Sequence, residues 1–172
     1  MTQPRTTPAP TTTAPTTPAA TTTLHRTFTH EHLVTATPDA LFPLLCPVLE
    51  YEWIPTWSCR LVHTASGVAE HGCVFTTDFG SGEETWVCTT YRPPTAIEYT
   101  RFAAGGWVTM LALALAPTAA GTALTVTQTY TAVTPAGERA VAAMDEAAER
   151  AVWTDLSRLA SVYLTTGSMG PA

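Results

Sequence analysis

Residues 135–167 read PAGERAVAAMDEAAERAVWTDLSRLASVYLTTG. Thr134, just before, offers an N-cap oxygen; Pro135 suits a first helical turn and Gly167 a left-handed stop. The spacing predicts one helix over the whole stretch, about 45 Å long at the usual rise per residue. Val141, Met144, Ala148, Val152, Leu156, Leu159, Val162 and Tyr163 recur at three- and four-residue steps and form one apolar stripe. Arg139, Glu146, Arg150 and Ser157 fall on the opposite face. A single long amphipathic helix after a chain of strands calls for a curved sheet that grips it. Such a grip leaves a cavity between helix and sheet, which makes the chain a container.

Upstream of the helix the chain reads mainly as strands. Leu24 to Thr35 is a first strand, followed by a short helix opened by Thr37-Pro38-Asp39 and a second helical segment in VLEYEWIPTW, residues 48–57. Six further strands are expected over 59–65, 73–79, 83–91, 96–102, 107–115 and 123–133. The breaks between them carry turn residues, Ser66-Gly67, Gly80-Ser81-Gly82, Pro93-Pro94, Gly105-Gly106 and Ala120-Gly121. Connections this short imply antiparallel neighbours. The last strand shows its faces best: Thr125, Thr127, Thr129 and Thr131 form a hydroxyl face for water, so Leu124, Val126, Gln128 and Tyr130 point inward. Phe75 and Phe79 belong to another inner row, and Trp53 and Trp57 close one end of the enclosure.

Composition narrows the function. The net charge is −6, against nucleic acid or an anionic membrane surface as main partner. All eight basic residues are arginines, and there is neither lysine nor asparagine. That removes Schiff-base chemistry, a P-loop lysine and N-glycosylation together. Cys46, Cys59, Cys73 and Cys88 contain no CxxC, and their apolar surroundings predict free thiols. The most apolar run, 107–116, is too short to span a membrane, and no export signal is visible, so a cytoplasmic location is expected. Residues 1–23, almost all Thr, Pro and Ala, read as a disordered tail; 24–167 form one domain and 168–172 a flexible end.

The order of strand, two short helices, six-strand meander and long C-terminal helix resembles the START-like, Bet v 1-like (SRPBCC) superfamily, in its polyketide cyclase/dehydrase-like branch. The resemblance rests on PDALFPLLCPVLEYEWIPTW, GCVFTTDF, TWVCTTYRPPTAIEYTRF and the helix end from Ala151 to Gly167. It implies an α+β helix-grip fold, a curved seven-stranded antiparallel sheet around the helix, enclosing an apolar cavity. Relatives bind lipids, sterols, polyketides and other hydrophobic molecules; a minority catalyse cyclisation, dehydration or hydroxylation.

Candidate chemistry is sparse. His30 and His32 share a strand face, but two histidines without a third ligand do not make a metal site, and no metal or other cofactor is expected. No nucleophile elbow or phosphate cradle is present. Three polar positions stand out. Gln128 lies among inward apolar residues, Asp155 falls inside the helix stripe, and Arg101 shares a strand face with Ile97 and Tyr99. An Asp155–Arg101 pair, or a lone cavity acid, would suit acid–base work. The expected ligand-binding set is therefore Trp53, Trp57, Phe75, Phe79, Tyr99, Arg101, Gln128, Tyr130 and Asp155. The first function expected is binding of a small hydrophobic or aromatic molecule. The alternatives are a cyclase, aromatase or dehydrase using the same cavity and, more weakly, a co-chaperone-like protein-binding module.

Overall fold

Alternation along the strands sets the sheet. In β7 (Gly121–Ala132) every second residue from Thr122 to Ala132 is buried, while the threonines between them are half-exposed. Two of these threonines pair hydroxyl to hydroxyl with β1 (His25–Val34): Thr129 with Thr27 at 3.1 Å and Thr127 with Thr29 at 3.3 Å. The other strands are β2 (Arg60–His63), β3 (Val74–Asp78), β4 (Glu83–Arg92), β5 (Ala96–Ala103) and β6 (Trp107–Thr118). All seven join one antiparallel sheet in the order β1-β7-β6-β5-β4-β3-β2, in which β2 to β7 run as the six-strand meander expected from the short turns. The first strand pairs with the last, and β2 forms the opposite edge. The coordinates are a computed structural model describing residues 23–80 and 82–170. The tail assigned to residues 1–23 thus lies outside the described residues except for Thr23, as do the last two residues of the C-terminal end.

Between β1 and β2 the chain forms the two short helical segments. Thr37 caps α1 (Pro38–Leu41), its hydroxyl accepting from the Ala40 amide at 3.4 Å. A 3-10 turn over Phe42–Leu45 continues from it, and a second spans Leu49–Glu52. Their apolar residues, Leu41, Phe42, Leu44 and Leu45, are buried in the main core with Cys73, Phe75, Ile97, Leu113 and Val126.

The C-terminal helix is two helices rather than one. α2 (Pro135–Ala143) ends at Met144, whose backbone is extended, and α3 (Glu146–Thr166) starts afresh behind Asp145. Asp145 caps α3, its Oδ1 accepting from the Ala147 amide at 2.8 Å. Arg26 of β1 compensates the break by donating to the carbonyls of Val141, Ala142 and Met144, at 3.1, 3.3 and 2.7 Å. A helix end leaves its last carbonyls short of partners; that of Val141 also accepts from the Met144 amide, at 3.4 Å. Gly167 closes α3 at φ 67°, a left-handed stop that favours glycine. With 21 residues, α3 is about 32 Å long.

Restarting the helix also turns its face by about one residue. Glu149, Trp153, Leu156, Ser157, Ala160 and Leu164 face inward, whereas Ala148 and Val152, placed on the stripe by an unbroken helix, are exposed. Ser157, expected on the outer face, is buried. Two contacts fix α3 across the sheet opening: the Thr35 amide donates to the Ser161 hydroxyl at 3.2 Å, and the Tyr163 hydroxyl donates to the Glu52 carboxylate.

Candidate ligand cavity

Between the concave face of the sheet, α3 and the segment containing the second 3-10 turn lies a cavity of about 370 Å³. That volume falls in the range of small-molecule sites. Strand periodicity supplies one wall: Phe75 of β3, Trp86 of β4, Tyr99 and Arg101 of β5, Thr109, Leu111 and Leu113 of β6, and Gln128 of β7. Glu50, Trp53, Ile54 and Trp57 form a second wall, and Glu149, Val152, Trp153 and Leu156 of α3 a third.

The aromatic rings brace one another. Phe75 stacks on Trp86 at 5.6 Å between centroids, and Tyr99 meets both edge-on, at 5.6 and 6.3 Å. At the rim, Trp57 lies 6.1 Å from the exposed ring of Phe79. The polar ends of the rings are turned away and occupied. Indole N–H groups donate from Trp53 to the Leu44 carbonyl at 3.0 Å, from Trp57 to the Pro47 carbonyl at 2.7 Å, and from Trp86 to the Thr77 hydroxyl at 2.8 Å. The Tyr99 hydroxyl donates to the Leu45 carbonyl at 2.8 Å; burial holds this phenol well above its ordinary value and thus neutral.

Gln128 organises the helix side. Its Oε1 accepts from the Trp153 indole at 2.9 Å, and its Nε2 donates to the Tyr130 hydroxyl at 2.7 Å and the Glu149 carboxylate at 3.2 Å. Every polar atom of this buried amide has a partner, which fixes its orientation. Across the cavity, the Arg101 guanidinium lies 5.0 Å over the Trp86 ring, within cation–π range. It donates to the Thr109 hydroxyl at 3.3 Å and forms an ion pair with the buried Glu84 carboxylate at 3.3 Å. Desolvation raises the Glu84 carboxyl, opposed by attraction to Arg101.

Glu50 is the outlier. Half-buried, it lines the cavity, and its carboxyl makes no hydrogen bond or ion pair among the described residues. Desolvation among apolar neighbours pushes its carboxyl up to about 8. An acid so placed exchanges a proton near neutral pH.

Seven of the nine residues expected from sequence, Trp53, Trp57, Phe75, Phe79, Tyr99, Arg101 and Gln128, line this cavity. Tyr130 does not line it; fully buried, it backs the wall as a hydrogen-bond partner of Gln128. Asp155 lies elsewhere. Its side chain is 74% exposed and sits 3.9 Å from Arg158, so the expected Asp155–Arg101 pair is not formed. The helix break turns that residue outward and brings Glu149 in. Sequence reasoning missed Glu50, Glu84 and Glu149, together with Trp86 and Trp153. For Glu149 a signal existed: Asp145 followed by Glu146 and Glu149 is the acid pattern of a helix start. His30 and His32 do share the inner face, with rings 6.2 Å apart. Among the described residues no group of three or more metal-binding side chains comes together.

The fold recurs in solved structures. Protein MLL2253 from Mesorhizobium loti matches with a TM-score of 0.60 at 20% identity, over 82% of this chain and 98% of that one. Protein CV1439 from Chromobacterium violaceum matches with a TM-score of 0.55 at 20% identity, over 80% and 96%. A point mutant of norcoclaurine synthase from Thalictrum flavum, in complex with a transition-state analogue, matches with a TM-score of 0.58 at 15% identity, over 81% and 96%. No curated protein matches the sequence. The family described as polyketide cyclase / dehydrase and lipid transport matches residues 25–163, which span the whole sheet and α3 up to Tyr163. With its helix-grip architecture, the chain belongs to that family, within the START-like, Bet v 1-like (SRPBCC) superfamily.

Proposed function

We propose that the protein binds a small hydrophobic or aromatic molecule in the cavity between the sheet and α3. The observation that carries this reading is the cavity itself, about 370 Å³ walled mainly by aromatic and aliphatic side chains. Seven aromatic residues, Trp53, Trp57, Phe75, Phe79, Trp86, Tyr99 and Trp153, contribute to the wall. Family membership supports the same reading. We place the protein in the cytoplasm, a location that its four free thiols favour. No helix among the described residues is long and apolar enough to cross a membrane.

Titration with a flat, fused-ring compound tests this. Tryptophan fluorescence should change saturably, with an affinity in the micromolar range, about −8 kcal/mol. Phe79→Ala at the rim should weaken binding, and Thr127→Ala on the outer face should leave it unchanged. A linear, non-saturating response, or equal effects of the two substitutions, would overturn the proposal.

A second reading, catalysis in the cyclase, aromatase or dehydrase class, is favoured by Glu50. A cavity carboxyl that titrates near 8 is matched to proton transfer at a carbon beside a ketone. The norcoclaurine synthase structure holds a transition-state analogue, so the same fold hosts an enzyme in that protein. The check is deuterium exchange at the acidic methylene of an aryl 1,3-diketone: faster with wild type than with Glu50→Gln if this reading holds, and equal if it fails.

A further inference from the structure

The hydrogen-bonding capacity left in the cavity is one-sided. The four lining tryptophans have no free N–H, since each indole already donates to a protein oxygen. The Tyr99 hydroxyl is committed to the Leu45 carbonyl, and the Gln128 amide to Tyr130 and Glu149. Arg101 is neutralised by Glu84 and held by Thr109; its Nε, although unpartnered, is sealed from the cavity by burial. Thr56 and Thr109 contribute hydroxyls, which serve as donor or acceptor. What remains strongly polar and unpartnered is acidic: the carboxyl of Glu50, with Glu149 nearby already engaged by Gln128 and Tyr130. Arg101 is the only cationic side chain among the residues lining the cavity, and its charge is spent.

A wall of aromatic faces with one unpaired carboxyl, a second acid beside it and no available cation is complementary to positive charge. We propose that the ligand of this cavity carries a protonated nitrogen on an apolar body of aromatic size, with the nitrogen paired to the free carboxyl of Glu50. This rests on the cavity's being the ligand site and adds the ligand's charge class. An N–H⁺ donor supplies the partner that Glu50 lacks, and the ring faces of Trp53, Trp57 and Trp86 attract the same charge. A carboxylate ligand would meet like charge at Glu149 and an unoccupied acid at Glu50. A neutral ketone would find only Glu50, in its protonated form, as a strong donor.

The two alternatives respond oppositely to pH. A cation binds best to ionised Glu50, so its affinity rises as pH increases towards about 8. An acceptor ligand needs the proton and weakens over the same range. The titratable groups whose charge bears on Glu50 are Tyr99 and Cys59, both raised by burial and thus neutral across this window. Arg101 and Glu149 complete the charged lining.

The test uses the full chain and three probes sharing a 2-naphthylethyl body and ending in ammonium, hydroxyl or carboxylate, titrated by calorimetry at pH 6 and pH 8.5. The expected result at pH 8.5 is an ammonium affinity about tenfold above the alcohol and further above the carboxylate. That ratio should shrink severalfold at pH 6, collapse in Glu50→Gln and persist in Thr127→Ala. Equal or tighter binding of the alcohol or carboxylate overturns the charge assignment while leaving the cavity as a binding site. So does a preference that Glu50→Gln retains. Failure of all three probes to bind overturns both. The pH dependence is read on the unaltered protein, so the outcome does not hang on the folding of any variant.

Discussion

Glu50 shows how one side chain acquires its properties from its surroundings. It sits in a 3-10 turn with Trp53 and Ile54 beside it, and desolvation by these neighbours holds its proton to about 8 against an ordinary 4.5. A carboxyl raised on folding binds its proton more tightly in the folded state. Its contribution to stability is full below 4.5, declines as pH rises and is lost above about 8. Melting temperatures from pH 5 to 8.5 should therefore fall more steeply for wild type than for Glu50→Gln, which cannot ionise. Parallel slopes would contradict the desolvation of this carboxyl. Nothing in the sequence marks Glu50 as special: it lies beside Glu52, and only tertiary packing makes one a cavity acid and the other a partner of Tyr163. Gln128 was legible, because the threonines alternating with it leave it no other direction.

At the scale of elements, the break between α2 and α3 matters most. An unbroken 3.6-residue period carried Asp155 into the apolar stripe; the restart at Asp145 turns it to water and brings in Glu149 and Trp153. Both ends of the predicted helix were readable, Thr134 and Gly167 being local signals. The break was harder to see, since Arg26, which satisfies the freed carbonyls, comes from β1, more than a hundred residues away. The rotated face distinguishes two positions that an unbroken stripe would treat alike. Leu159 is buried in the main core, and Leu159→Ala should cost about 2–5 kcal/mol in denaturant unfolding. Val152 is 55% exposed, and Val152→Ala should cost less than about 1 kcal/mol. Similar losses at both sites would restore the single continuous stripe.

In the molecule as a whole, the order of β2 to β7 was legible because short polar turns permit little besides an antiparallel meander, and this six-strand meander, completed by β1 beside β7, curls around the helix that follows it. The cavity is a subtler quantity. It is the space left when seven strands, α3 and a 3-10 segment meet, so it depends on every packing distance at once and not on a local pattern. The five tryptophans provide a direct reading of whether that space is occupied. Trp53, Trp57, Trp86 and Trp153 line it, whereas Trp107 packs in a separate cluster with Phe28, Tyr130 and Val141. The decisive measurement is a ¹⁵N–¹H NMR titration of the indole N–H signals with an aromatic probe. The four cavity signals should shift together with a single dissociation constant while Trp107 stays fixed; no saturable shift, or movement of Trp107 in step with the others, would contradict an internal binding site.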